Sequence, residues 1–202
     1  MTARSAWRCA AREPLIVTKA QRNVIVELAS QPPVVALQEM LKALSEQDRQ
    51  LAQQALFVGR VINEYQAEFH RGDFLIRNIV GLDPNNGAIA IGDREIRPGQ
   101  TIQFQLRDGA AAAEDLCELI GKQEASLAKH PPQGALLFSC LGRGEGLFGK
   151  PNHDVSIIRE KIGPLPLAGF FCNGEIGPIG DKTFVHGFTS VLALFEPVGK
   201  KN

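Results

Sequence analysis

The spacing of apolar positions changes period several times along the chain. Residues 15–28 (LIVTKAQRNVIVEL) read as two short β segments around a polar turn at Gln21 to Asn23. After Pro32 and Pro33 the apolar residues Val34, Leu37, Met40, Leu41 and Leu44 keep helical spacing, and proline suits a first helical turn. Ser45, with Asp48 three residues on, opens a second predicted helix through about Ala55. From Phe57 to Leu106 the pattern is that of strands: LFVGRVIN, FLIRNIVGL, AIAIG and TIQFQL. Strong turn sequences separate them at Asp83-Pro84-Asn85-Asn86-Gly87 and Arg97-Pro98-Gly99-Gln100. Connections this short predict a meander of antiparallel hairpins, since parallel neighbours need a crossover of about a dozen residues.

Asp108 and Gly109 introduce a third helix over residues 110–128, with Ala113, Leu116, Cys117 and Ile120 on one face. A buried strand, a glycine loop, a fourth helix (Val155, Ile158, Ile162), a second buried strand and a last amphipathic strand follow. The predicted class is α+β, a mixed and largely antiparallel sheet with packed helices in a single domain. There is no fixed-period repeat, low-complexity tract or proline-rich linker to divide it.

Composition narrows the function classes. The 22 Lys and Arg balance the 22 Asp and Glu, without a basic stripe, so nothing supplies the electrostatic footprint of a nucleic-acid binder. Apolar runs fall far short of the ~18 residues of a membrane span. Arg4, Arg8 and Arg12 precede no apolar segment of a secretory signal, and a cytoplasmic location is expected. Cys9, Cys117, Cys140 and Cys172 are widely spaced and form no C-x-x-C pair, which predicts free thiols rather than a disulfide framework or zinc ribbon.

The chemistry concentrates between Gly134 and Phe195, where strands end in polar, glycine-rich loops. Arg143 stands between Gly142 and Gly144, free to meet a carboxylate or phosphate, or else to remain a solvated loop arginine neutralised by Glu145. Alternation along GFFCNGE puts Asn173 and Glu175 on one face, as ligand contacts or, for Glu175, as an ion pair or turn contact. His186 shares a strand face with Phe188 and Ser190 by the same alternation, as a ligand contact, a metal ligand or a hydrogen-bonded structural residue. Cys140 and Cys172 end apolar strands and serve either as small hydrophobes or as nucleophiles. Asp154 or Asn152 is expected to cap the fourth helix. Gly144-x-Gly146-x-x-Gly149 matches a dinucleotide fingerprint, but Pro151 delays the helix and too few residues follow for a doubly wound sheet. No G-x-S-x-G, Walker loop or H-E-x-x-H is present, so binding is favoured over catalysis.

Five ordered strings, DFLIRNI (73–79), QFQLRD (103–108), LFSCLGRG (137–144), GFFCNGEIGP (169–178) and HGFT (186–189), together resemble the C-terminal domain of the FIST family (F-box and intracellular signal transduction). The resemblance implies a sensory module that binds a small ligand, amino acids among them. Some relatives are described as haem-dependent nitric oxide sensors, which would give His186 or His153 a role. Members usually carry an N-terminal FIST domain first, and WRCAAREPLIVT (7–18) resembles the junction without its glycine and inner proline. Residues 1–14 are therefore expected to be a flexible junction remnant and 15–198 the sensory domain, as in a shortened protein or excised C-terminal half.

The combined expectation is a binder without cofactor, taking a small polar metabolite in a cleft floored by the strands ending at Cys140 and Cys172. Arg143 would take an anionic group, and Glu175 with Asn173 the polar or cationic end. Arg77, Asp108 and His186 are secondary lining candidates, with Phe148 and Phe188 as apolar walls. A signalling protein or a separate N-terminal FIST domain would be the partner. A haem-dependent gas sensor and a cysteine-dependent enzyme are the alternatives.

Overall fold

Strand-forming residues between 7 and 107 close into a ring. The computed structural model describes residues 2–3, 7–10, 13–179 and 182–197. After a short strand β1 (Thr2–Ala3), the chain runs through β2 (Trp7–Cys9), β3 (Leu15–Gln21), β4 (Val24–Leu28), α1 (Pro33–Ala43), α2 (Glu46–Ala55), β5 (Leu56–Val61), β6 (Phe74–Leu82), β7 (Ile89–Ile91) and β8 (Thr101–Arg107). The strand order is β2-β8-β3-β4-β7-β6-β5, and β5 pairs again with β8 from Leu56↔Leu106 to Arg60↔Ile102. Six strands thus form a closed antiparallel ring in which each has a neighbour on both sides, and β2 extends the β3 side of β8.

The local signals explain the elements. Ser45 Oγ accepts from the Asp48 amide at 3.1 Å and starts α2. Asp83 and Asn86 side chains accept from Asn85 N and Ala88 N, and Gly87, at φ +71°, completes that turn where any Cβ would fall 2.4 Å from Val34 Cγ1. Ile102, Phe104 and Leu106 of β8 join Val17, Ile25 and Val58 in one apolar core that also takes Met40 and Ala52 from the helices and Leu44 from between them. The predicted meander breaks after β7. β8 lies between β5 and β3, with Ile102, Phe104 and Leu106 turned into the core.

The second compact unit comprises residues 108–202 with 1–6. It contains α3 (Gly109–Gly121), α4 (Glu124–Lys129), β9 (Gly134–Cys140), α5 (Glu145–Phe148), α6 (His153–Ile162), β10 (Leu167–Cys172), β11 (Glu175–Ile179), β12 (Lys182–His186) and β13 (Ser190–Phe195). An open sheet in the order β1-β13-β9-β10 carries one parallel pair, β9 with β10, joined through α6. Leu116, Ile120, Ala135, Leu137, Ile158 and Leu192 form its core, and β11–β12 is a separate antiparallel hairpin.

The α+β class and largely antiparallel pairing hold, with the strands of the two compact units shared among three sheets. Three other expectations, on the third helix, the second buried strand and the last strand, are corrected. The third helix is two, since α3 stops at Gly121 and α4 starts at Glu124. β10 is not buried: it is the sheet edge, and Phe170 and Phe171 are 63% and 57% exposed. The last strand breaks at Gly187 to Thr189, where Phe188 takes a left-handed φ of 61°. Around the expected junction, β1 pairs with β13, β2 pairs with β8, and Arg8 is ion-paired with Asp48. Residues 1, 4–6, 11 and 12, Arg4 and Arg12 among them, lie outside the described residues.

Candidate functional site

The site grows from the C-terminal end of β9. Alternation along this strand turns Ala135, Leu137 and Ser139 to the buried face, so an apolar stripe ends in a hydroxyl. The chain then makes a 3-10 turn over Leu141–Arg143, whose last residue goes inward. The Arg143 side chain is 0% exposed and clamps Asp154 with two nitrogens, Nε to Oδ2 at 2.8 Å and Nη2 to Oδ1 at 3.0 Å. Ser139 Oγ also donates to Asp154 Oδ2, at 3.3 Å. His153 lies flat on Phe148, with ring centroids 3.6 Å apart, and its Nδ1 is 3.2 Å from Asp154 Oδ1. The Phe148 ring also sits 5.4 Å from the Arg143 guanidinium carbon. Arg143 Nη1 is buried with no hydrogen-bond partner among the described residues.

Asp154 thus supplies the counter-charge that the sequence assigned to Glu145, and neither helix cap forms as expected. Asn152 occupies the cap position at φ 56° without a side-chain cap bond, and Asp154 is engaged by Arg143.

A second cluster adjoins this one through Ser139. Glu175 is 2% exposed, and its Oε2 accepts from Thr189 N at 3.2 Å and Thr189 Oγ1 at 2.9 Å. The Cys172 thiol is 3.4 Å from Glu175 Oε1 and 3.5 Å from the Ser139 carbonyl. Burial, then the hydrogen bond and charge of Glu175, push that thiol up to about 11. At neutral pH only about one part in ten thousand is thiolate, which opposes a nucleophilic role. Cys140 is buried beside Cys172 in strand register, its amide donating to the Thr189 carbonyl at 2.9 Å. His186 is buried with Nε2 3.0 Å from the Gly177 carbonyl. An axial haem bond from Nε2 would require that contact to be given up, and His153 is held between Phe148 and Asp154.

A cleft of about 620 Å³ opens between α6 and β10. Ser139, Arg143, His153 and Asp154 furnish its buried polar end, and Leu137, Leu167, Phe170 and Phe171 its apolar wall. Of the sequence candidates, Arg143 lines this cleft; Cys140, Cys172, Asn173, Glu175 and His186 do not. Asn173 is exposed at the bend after β10, so the alternation expected to align it with Glu175 is lost. Asp108 caps α3, accepting from Ala110 N at 2.8 Å and Ala111 N at 3.1 Å. Arg77 belongs to the ring, where its Nε is 3.2 Å from Asp93 Oδ2 beside Arg60. Burial pushes the Asp93 carboxyl up, but Arg77 and Arg60 outweigh it and the net shift is down.

Sequence reasoning missed Ser139 and the linkage of Asp154 to Arg143. The available signal was a polar residue ending the inward stripe of β9, facing an acid in the first turn of the next helix. Among the described residues there is no cluster of three or more potential metal ligands, and no helix is long and apolar enough to cross a membrane.

Known proteins share much of this chain. It is 45% identical over 183 residues to an uncharacterized protein of Mycobacterium tuberculosis (strain H37Rv), covering 91% of this chain and 47% of the relative. It is 34% identical over 114 residues to an F-box/LRR-repeat protein of Arabidopsis thaliana, covering 49% and 22%. With F-box only protein 22 of Homo sapiens the identity is 30% over 86 residues, covering 35% and 21%. The chain spans about half the length of the mycobacterial relatives it matches. The profile of the FIST C domain matches residues 36–178, and the chain therefore belongs to the FIST C-domain family.

Proposed function

We propose that this chain is a cytoplasmic sensory domain, spanning residues 15–198, that binds a small polar metabolite in the cleft between α6 and β10. Occupancy shifts it between conformations that the ligand binds unequally, and a partner reads the shift without turnover of the ligand. The partner is a signalling protein or a separate N-terminal FIST domain, and amino acids are among the metabolites to test. The supporting observation is the Arg143 guanidinium. It is buried in the wall of a cleft of ligand size, with two nitrogens used by Asp154 and one left without an acceptor. The cleft also adjoins the carboxyl end of a parallel strand, where open α/β sheets place their ligands.

A thermal-shift screen of a metabolite library tests this. A true ligand stabilises the fold by about 2.7 kcal/mol at a hundredfold excess over Kd. The gain should shrink in Arg143→Lys and in the exposed-site variant Lys150→Ala. A broad library without a single stabilising compound would overturn the proposal.

A further inference from the structure

The polar end of the cleft is built for an anion, and the other end is built for something apolar. Three cations, Arg143, Lys150 and Arg159, share its lining with two carboxylates, Glu145 and Asp154. Asp154 is already neutralised by the Arg143 clamp. Helix α6, ten residues long, begins at the same place, and the amides of its first turn have no acceptor within the helix. Its cap residue Asn152 supplies none from its side chain, so the positive end of the helix dipole stands unneutralised there apart from Asp154. Arg143 gives the second, independent sign: a fully buried guanidinium in that wall with Nη1 unpartnered. Buried charged donors are ordinarily satisfied by protein, water or a bound ligand, so the free Nη1 marks a place for an acceptor oxygen. The opposite wall shows the complementary anomaly: Phe171 of β10, in register with Ser139, is left 57% exposed, while Phe170 turns to the other face against Phe138.

The carboxylate expected to receive an amine is elsewhere. Glu175 is enclosed by Thr189 and Cys172 and does not reach the cleft, which leaves Glu145, on the solvent-exposed rim, as the only lining carboxylate outside the Arg143 clamp among the described residues.

Resting on the sensory proposal above, we infer that the ligand is a monocarboxylate with an apolar body and no α-amino group. Its carboxylate completes Arg143 Nη1 and the first-turn amides of α6. Its apolar body covers Leu137, Leu167 and Phe171.

Calorimetric titration of the full chain with phenylpropanoate, phenylpropanamide and L-phenylalanine, and with isocaproate and L-leucine, separates the possibilities. The two acids should bind, and the amide and both amino acids should be weaker by about tenfold or more, since each loses charge or adds an unpaired ammonium. Phe171→Ala, at an exposed position, should leave thermal unfolding unchanged and weaken phenylpropanoate about threefold or more. Arg143→Lys, which keeps the charge but loses the guanidinium fork, should narrow the preference for acid over amide. Equal binding of acid and amide, or tighter binding of the amino acids, overturns this inference and leaves the sensory proposal standing. The inference also falls, with the sensory proposal intact, if neither acid binds while another library metabolite does. If nothing in the library binds, both fall.

Discussion

The ring and the open unit bury their residues under different rules. In the ring every strand is paired on both sides, and the core is aliphatic and aromatic, with Ile102, Phe104 and Leu106 fully enclosed. Its Arg60, Arg77 and Asp93 ion pairs keep part of each side chain in water, 12–20% exposed, and the enclosed polar groups Gln103 and Gln105 are uncharged. The unit from residue 108 onward leaves β10 on an open sheet edge with aromatic side chains in water, yet takes Arg143, Asp154 and Glu175 inside. Hydrophobic burial dominates the first arrangement. The second carries a desolvation penalty on charged groups, and in folded proteins such penalties cluster where ligands are handled.

This contrast can be broken by substitution. The largest effects are expected at Asp154 and Phe104. Asp154→Ala strands the buried Arg143 charge and should cost about 3–5 kcal/mol in denaturant unfolding. Phe104→Ala opens a cavity in the ring and should cost a similar amount, about 3–5 kcal/mol. The two differ in how they are repaired. Arg143→Met combined with Asp154→Leu should recover most of the Asp154→Ala loss, since an apolar pair needs no desolvation, whereas no polar change rescues Phe104→Ala. A double variant as unstable as Asp154→Ala would mean that the pair is not the source of the cost.

Next in size is Glu175→Ala, which leaves the Thr189 amide and hydroxyl without their acceptor and should cost about 1–3 kcal/mol. If its effect on ligand binding exceeds its effect on unfolding, Glu175 reaches a ligand after all. The Cys172 thiol offers a pH test. Its pKa is raised to about 11 from 9.0, so thiolate forms only as pH climbs through that window. Alkylation followed on its peptide by mass spectrometry should keep accelerating from pH 9 to 11, and a plateau by pH 8 would restore the nucleophile reading. The smallest effect is expected from Phe170→Ser on the open edge, about 0.5 kcal/mol or less. A larger loss would show that this edge is covered in solution.

Much of the frame was legible because short-range chemistry sets it. Ser45 and Asp108 cap α2 and α3 as their positions suggest, and the Asp83–Gly87 turn separates β6 from β7. What escaped was long-range. Closure of the ring depends on β5 meeting β8 across an intervening β6 and β7, which no local pattern encodes. The apolar run of β10 reads as a buried strand, yet a sheet edge accepts the same residues, so composition could not tell the two apart. At the site, Arg143 was found through its flanking glycines. Its partner Asp154, eleven residues on, was assigned to a helix cap because both roles suit an acid in a first turn. Glu175 and Asn173 were placed together by alternation that ends at Cys172, where β10 stops.

The central claim is that a small ligand enters beside Arg143, in the open unit and not in the ring. Amide chemical-shift mapping on isotope-labelled protein, titrated with a stabilising compound from the metabolite screen, tests it most directly. Saturable shifts should gather at His153, Asp154 and Val155 and at Gly169 to Phe171, with Val58, Phe104 and Ile91 of the ring unmoved. Saturable shifts confined to the ring, with residues 153–155 silent, would contradict it.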